Sequence, residues 1–326
     1  MKRMARNRRL TGLILSVVLA AAGYLAFSLW AGWREVLAVF RQVEGPGLAV
    51  LLGLSLTNYL LRFLRWQLYL TALGHRPPVG LSALIYFAGF ALTTTPGKAG
   101  EMLRGVFLKA RGMPYVSSTA AFVSERLSDV VAVALLALAG VGRLYPPGEP
   151  LVKYGLAAIA AGLVLLAGAG RLRRWHDKLQ RHPGRLLRFG RHLLGLVLDT
   201  RQCHHPLLLP PATGLGLLAW FAEGYAFYLL LHWLGYDAID LVIACAIYAL
   251  AMLAGAVSFL PGGIGGAEAA MTLLLLWVGV GQADAVAATL LIRLTTLWFA
   301  VALGAVALLA GGKALNRPPQ PLPQSP

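Results

Sequence analysis

Ten apolar runs follow one another along the 326 residues, at about 10–30, 46–73, 81–95, 102–113, 116–145, 151–170, 207–235, 241–260, 267–281 and 284–311. A hydrocarbon core of about 30 Å takes roughly 20 helical residues to cross at 1.5 Å each, and most of these runs are long enough. A lone segment in lipid must satisfy its own backbone, which a helix does and an isolated strand does not. The expected fold is therefore all-α: a polytopic membrane protein with about six transmembrane helices. Composition agrees, with 58% hydrophobic residues, 13% charged and a mean hydropathy of +0.68, where soluble domains carry about a quarter charged residues. The run at 10–30 does not end in a small-residue cleavage site, so it reads as an uncleaved first span.

The net charge of +16 does not point to nucleic acid, because the basic residues sit in blocks beside apolar runs. There they orient helices and meet anionic lipid of the inner leaflet. The loop 171–205 holds nine Lys and Arg residues against Asp177 and Asp199, which places it in the cytoplasm. Both termini then fall on the cytoplasmic side of the cell (inner) membrane. The loop also mixes Trp175, Leu186, Leu187 and Leu193 with its arginines, as would a helix lying on the leaflet or a solvated linker. Residues 316–326 form a Pro-rich tail expected to be disordered. The loop histidines lack ligand spacing, and Cys203 and Cys245 match neither a disulfide pair nor a metal motif. No metal, cofactor or catalytic triad is signalled, so the chain is not read as an enzyme.

Two runs are broken by polar sequence. LTTTPGKAGEMLRG carries Pro96, Gly97, Lys98 and Glu101, and SFLPGGIGGAEAA carries Pro261, Gly262, Gly263 and Glu268. The limb at 102–113 is too short to cross, and flank charge starts and ends 81–113 on the cytoplasmic side and 241–281 on the outer side. Two re-entrant helical hairpins satisfy that parity. Each Glu precedes an Arg by 25 residues, Glu101 to Arg126 and Glu268 to Arg293, and Gly112 aligns with Gly279. The reading is an inverted repeat within one transmembrane domain at 1–315, with repeat one at about 46–145 and repeat two at about 207–311. Arg126 and Arg293 then lie about 15 Å deep, entering from opposite faces.

Charge at the bilayer centre costs about 2.5–3.5 kcal/mol per residue on the lenient scale, so it is paired or faces a cavity. Asn58, Arg62 and Arg65 share one helix face at i, i+4 and i+7. Arg65 either snorkels to the inner surface or faces a shared polar cavity, and Arg126 either pairs with Asp129 three residues on or faces that cavity. Arg62 and Arg293 have no acidic neighbour on their own helices. The candidate substrate-binding set is Arg62, Glu101, Arg126, Asp129, Glu223, Glu268 and Arg293, with the arginines attracting a phosphate. The two hairpin glutamates either cap helix N-termini or couple protons or amines.

On TTPGKAGEMLRGVFL with SERLSDVVAV, and SFLPGGIGGAEAAMTLLL with RLTTLWFAVALG, the chain resembles the lysylphosphatidylglycerol synthase transmembrane-region family, the flippase-like membrane domain. The soluble synthase domain of its aminoacyl-lipid members is not expected here. The resemblance implies a lipid translocator whose cargo headgroup enters a cavity between the hairpins. Two other classes stay open: a membrane-embedded transferase using Glu101 or Glu268 as base, and a non-catalytic partner of a separate lipid-modifying enzyme. Expected partners are membrane lipids and, on those readings, that enzyme or a second copy of the chain.

Overall fold

The computed structural model describes residues 33–93, 99–168, 172–180, 185–258 and 260–315. The first apolar run, the Pro96–Gly97–Lys98 break, the Glu101 side chain and the Pro-rich tail lie outside the described residues. The described residues are helical: α1 Trp33–Gln42, α2 Glu44–Ala72, α3 Val79–Ala88 with a 3-10 turn Gly89–Leu92, α4 Ala99–Lys109, α5 Tyr115–Leu144 and α6 Glu149–Gly168. Then follow α7 Arg173–Gln180, α8 Arg185–Cys203, α9 Leu209–Trp233, α10 Leu241–Val257, α11 Gly266–Trp277, α12 Gln282–Arg293, a π turn Leu294–Trp298 and α13 Phe299–Leu315. The chain is an all-α polytopic membrane protein. Four helical stretches among the described residues are long and apolar enough to cross a bilayer: α2, α5, α9 and the continuous Gln282–Gly311. The stretches Val79–Leu92, Leu241–Val257 and Gly266–Trp277 are apolar but shorter.

Helix ends follow the local chemistry. Pro114 precedes α5 and cannot extend a helix backwards, while Asp240 caps α10 by accepting the Ile243 N–H at 2.9 Å. After α4, Gly112 takes φ +92°, with Met113 N–H donating to the Leu108 carbonyl at 3.1 Å and Gly112 N–H to Lys109 at 3.1 Å. After α11, Gly279 takes φ +89°, with Val280 donating to Leu275 at 3.0 Å and Gly279 to Leu276 at 3.1 Å. These are the same left-handed cap, which glycine adopts without a Cβ penalty. Helices α2 and α9 close in that way too, at Gly74 and Gly235.

Packing is reciprocal. Helices α2 and α9 lie against each other, α5 lies on α10, and α13 lies on α3 and its 3-10 turn. A Cβ on Gly140 of α5 would stand 2.7 Å from the Val242 carbonyl oxygen, and one on Gly304 of α13 would stand 2.1 Å from the Ala91 nitrogen. Small residues at such crossings let backbones approach where apolar burial gives no drive. Around this frame Trp66, Tyr69 and Tyr86 fill one core and Phe227, Ile247 and Met271 another.

One segment differs from the sequence reading, and in another the structure excludes one of two alternatives. Helix α1 occupies what read as a connection, its Val39 packing on Val286, Ala287 and Leu290. The basic segment is no plain linker: α8 packs on α5, Asp199 accepts the Ser117 hydroxyl at 2.8 Å, and Gln202 donates to the Ala72 carbonyl at 2.6 Å. Phe189 and Leu193 stay exposed on it.

Candidate functional site

Helix α5 carries Glu125, Arg126 and Asp129 into the interior. Asp129, buried, accepts from Arg62 Nη2 at 3.0 Å, from Arg65, and from Trp220 Nε1 at 3.1 Å, and forms an ion pair with Arg126 Nη2 at 3.0 Å. One carboxylate thus serves three guanidinium groups drawn from two helices. The expected Arg126–Asp129 pair is present as part of this larger cluster. Arg65 does not snorkel: its side chain is wholly buried, held inward by Asp129 and by the Glu125 carbonyl. Asn58, on the same face, donates to the Ala219 carbonyl at 2.8 Å and ties α2 to α9.

The second half centres on Arg293 and Glu268. Arg293 Nε donates to Glu268 Oε1 at 2.7 Å, and Glu268 Oε2 accepts the Gly265 N–H at 2.7 Å. Arg293 Nη2 also donates to the Gly262 carbonyl at 3.0 Å. Glu268 is therefore a helix cap and an ion-pair partner together, and Arg293 braces the break. Gly262, Gly263 and Gly265 take φ of +65°, +70° and +89°, which turns the chain sharply between Pro261 and α11. Arg62 and Arg293, without acidic neighbours on their own helices, both find them on others.

Between these clusters lies a cavity of about 480 Å³. Arg62, Arg126 and Asp129 form one part of its wall, and Glu223, Tyr248 and Arg293 another, with Thr93, Gly262 and Gly263 beside the chain breaks. Arg126 is the most open of the three arginines, its side chain 25% exposed. Half-exposed Val130 and Leu260 also line the space, so it reaches the outer surface of the bundle. Glu223 accepts the Tyr248 hydroxyl at 2.7 Å. The structure thus gathers Arg62, Arg126, Asp129, Glu223 and Arg293 around one volume, with Glu268 directly behind Arg293. Arg62 and Glu223 each precede their helix's closing glycine, Gly74 or Gly235, by twelve residues.

Sequence reasoning missed several neighbours. Trp220 stacks under Arg62, guanidinium to ring centroid 5.5 Å, and Tyr59 donates to the Thr296 carbonyl within the π turn. Arg104 on α4 pairs with Glu125 at 2.9 Å and sits 4.2 Å above the Tyr86 ring. A charge inside the short limb 102–113 was the signal for Arg104. The aromatic residues left none, since Trp and Tyr in an apolar run look like ordinary core. Among the described residues no three His, Cys, Asp or Glu side chains converge as metal ligands would.

Comparison with known proteins places this arrangement in context. The family model described as the lysylphosphatidylglycerol synthase TM region matches residues 13–304. A UPF0104 membrane protein of Methanothermobacter thermautotrophicus is 23% identical, the match covering 92% of this chain and 96% of that protein. A second UPF0104 membrane protein of the same organism is 25% identical over 86% of this chain and 88% of its own length. Glycosyltransferase AglD of Haloferax volcanii is 30% identical over 136 residues, 40% of this chain and 21% of that protein.

Proposed function

The chain belongs to the lysylphosphatidylglycerol synthase transmembrane-region family, and from that premise we propose that it translocates a phosphate-bearing lipid between leaflets. The headgroup enters the central cavity, its phosphate meets Arg126 and the neighbouring Arg62 and Arg293, and the acyl chains stay in the bilayer past Val130 and Leu260. The observation that carries this reading is the cavity itself: three guanidinium groups from both halves of the sequence line one space. Guanidinium stays charged and offers planar forked donors, which suits a phosphate.

On the same reading the short helices α3 with α4, and α10 with α11, are re-entrant hairpins of an inverted repeat in the cell membrane, with both termini cytoplasmic. The matched caps at Gly112 and Gly279 and the exchanged packing of α5 on α10 and α13 on α3 support it. Transport follows from rocking of one half against the other.

The test is reconstitution into vesicles containing fluorescent phosphatidylglycerol, with quenching of the outer leaflet. Arg126→Ala is expected to slow transbilayer movement at least about tenfold, the loss of one charged contact to the moving group, while the protein still inserts. Unchanged movement would reject the cavity as the path. A second reading, a membrane partner or portion of a lipid-directed transferase, draws on the similarity to glycosyltransferase AglD. It predicts that Arg173→Glu with Arg174→Glu, both exposed on α7, abolishes function while lipid movement persists.

A further inference from the structure

Among the described residues, the buried carboxylates of the interior are unequally provided for. Asp129 holds three arginines, Glu268 holds Arg293 and a backbone N–H, and Glu125 holds Arg104. Glu223 holds only the neutral phenol of Tyr248, although it is 5% exposed and lines the cavity. The charged and titratable groups facing the same space are Tyr59 and Arg62 from α2, Arg126 and Asp129 from α5, Tyr248 from α10 and Arg293 from α12. Each of those arginines is already engaged by a carboxylate other than Glu223.

We infer that Glu223 is a proton-binding site coupled to anion binding in the cavity: a proton enters on Glu223 when an anionic headgroup arrives. The inference rests on the proposed entry of a lipid headgroup. Two negative charges sharing one low-dielectric space disfavour each other, and the carboxylate without a counter-ion is the one that protonates at least cost. Protonation also changes what Glu223 offers. An ionised carboxylate only accepts, whereas a protonated one donates, so its O–H can turn toward a phosphate oxygen. The step balances simply: one proton from solution joins one carboxylate oxygen, and no bond of the ligand changes.

The experiment adds dihexanoyl phosphatidylglycerol to the purified full chain in weakly buffered detergent, with a pH dye reporting uptake. About one proton is expected per lipid bound, and affinity is expected to fall by up to about tenfold per pH unit above the Glu223 titration, since one proton is linked to one ligand. Glu223→Gln should abolish the uptake and the pH dependence together. Tyr248→Phe should keep both with a displaced midpoint. Binding without uptake anywhere between about pH 5 and 9, or uptake that survives in Glu223→Gln, overturns the inference. So does binding of dihexanoyl phosphatidylethanolamine that depends on Glu223 with no proton taken up, which would make Glu223 an ammonium seat. A ligand-free arm separates this inference from the transport reading. Infrared difference spectra between low and high pH should show a protonated carboxyl band that is missing in Glu223→Gln. Its absence from the native protein overturns the proton site, while failure of phosphatidylglycerol to bind, with the band present, overturns only the transport reading.

Discussion

Arg293 and Glu268, twenty-five residues apart, meet with Nε and Oε1 2.7 Å from each other, and the second oxygen of the same carboxylate closes the N-terminus of α11 at Gly265. Removing the carboxylate leaves a buried guanidinium and an open helix end at once. Glu268→Ala should therefore lower stability by about 3–5 kcal/mol, the usual result of breaking one side of a buried pair. The measurement is unfolding in mixed micelles with increasing dodecyl sulfate. A loss under about 1 kcal/mol, the range of exposed pairs, would mean that the pair is solvated.

Asp129 is the heavier support. Asp129→Asn leaves Arg62, Arg65 and Arg126 sharing one neutral oxygen, so folded protein should fail to accumulate in the membrane, judged by size exclusion in detergent. Arg126→Ala, which removes the most open cation and leaves Asp129 with two others, should give a normal monodisperse peak. If the asparagine variant behaved like wild type, the three-arginine cluster would not be holding α2 to α5.

Gly304 meets the backbone of the 3-10 turn at Ala91 with no room for a methyl group, whereas a Cβ on Gly214 of α9 would meet nothing within 4 Å. Gly304→Ala should cost about 1–3 kcal/mol, as overpacking does, and lower the thermal midpoint in detergent. Gly214→Ala should be neutral or raise it, since alanine favours a helix by roughly 0.5–1 kcal/mol over glycine. The reverse order would place the α13 crossing elsewhere.

Asp240, in the connection before α10, gives a pH signature. Its carboxylate accepts the Ile243 N–H and pairs with Arg143 at 2.6 Å, and the backbone bond, ahead of the arginine, holds its pKa below the ordinary value. A depressed folded-state pKa means that its stabilisation is complete above the unfolded value of about 3.9 and fades as pH falls through the lower folded value. Asp240→Ala should cost about 0.5–2 kcal/mol at neutral pH and progressively less in acid. An unfolding difference that stays constant down to about pH 3 would show that the cap carries no charge dependence.

Much of the architecture was legible because membrane helices announce themselves by length and composition. The break at Pro261–Gly263 was legible because proline and paired glycines have few other uses in an apolar run. The repeated 25-residue spacing singled out Glu268 on α11 and Arg293 on α12, though not that the two would pair. Partners that depend on tertiary packing were not legible. Arg62 and Asp129 are 67 residues apart, and nothing in either helix marks the other. Arg65 illustrates the same limit, since its own helix left the surface and the interior equally open while Asp129 drew it inward. The π turn left only Thr295 and Thr296 as a trace, hydroxyls that bond back to Leu291 and Ile292.

The exchanged packing also sets an order of assembly. Helix α3 and its 3-10 turn rest on α13, made some two hundred residues later. The contacts of that early pair with α13 form only once Phe299–Leu315 has been made. Completion of the molecule is therefore a single late event, governed by the arrival of its last described helix.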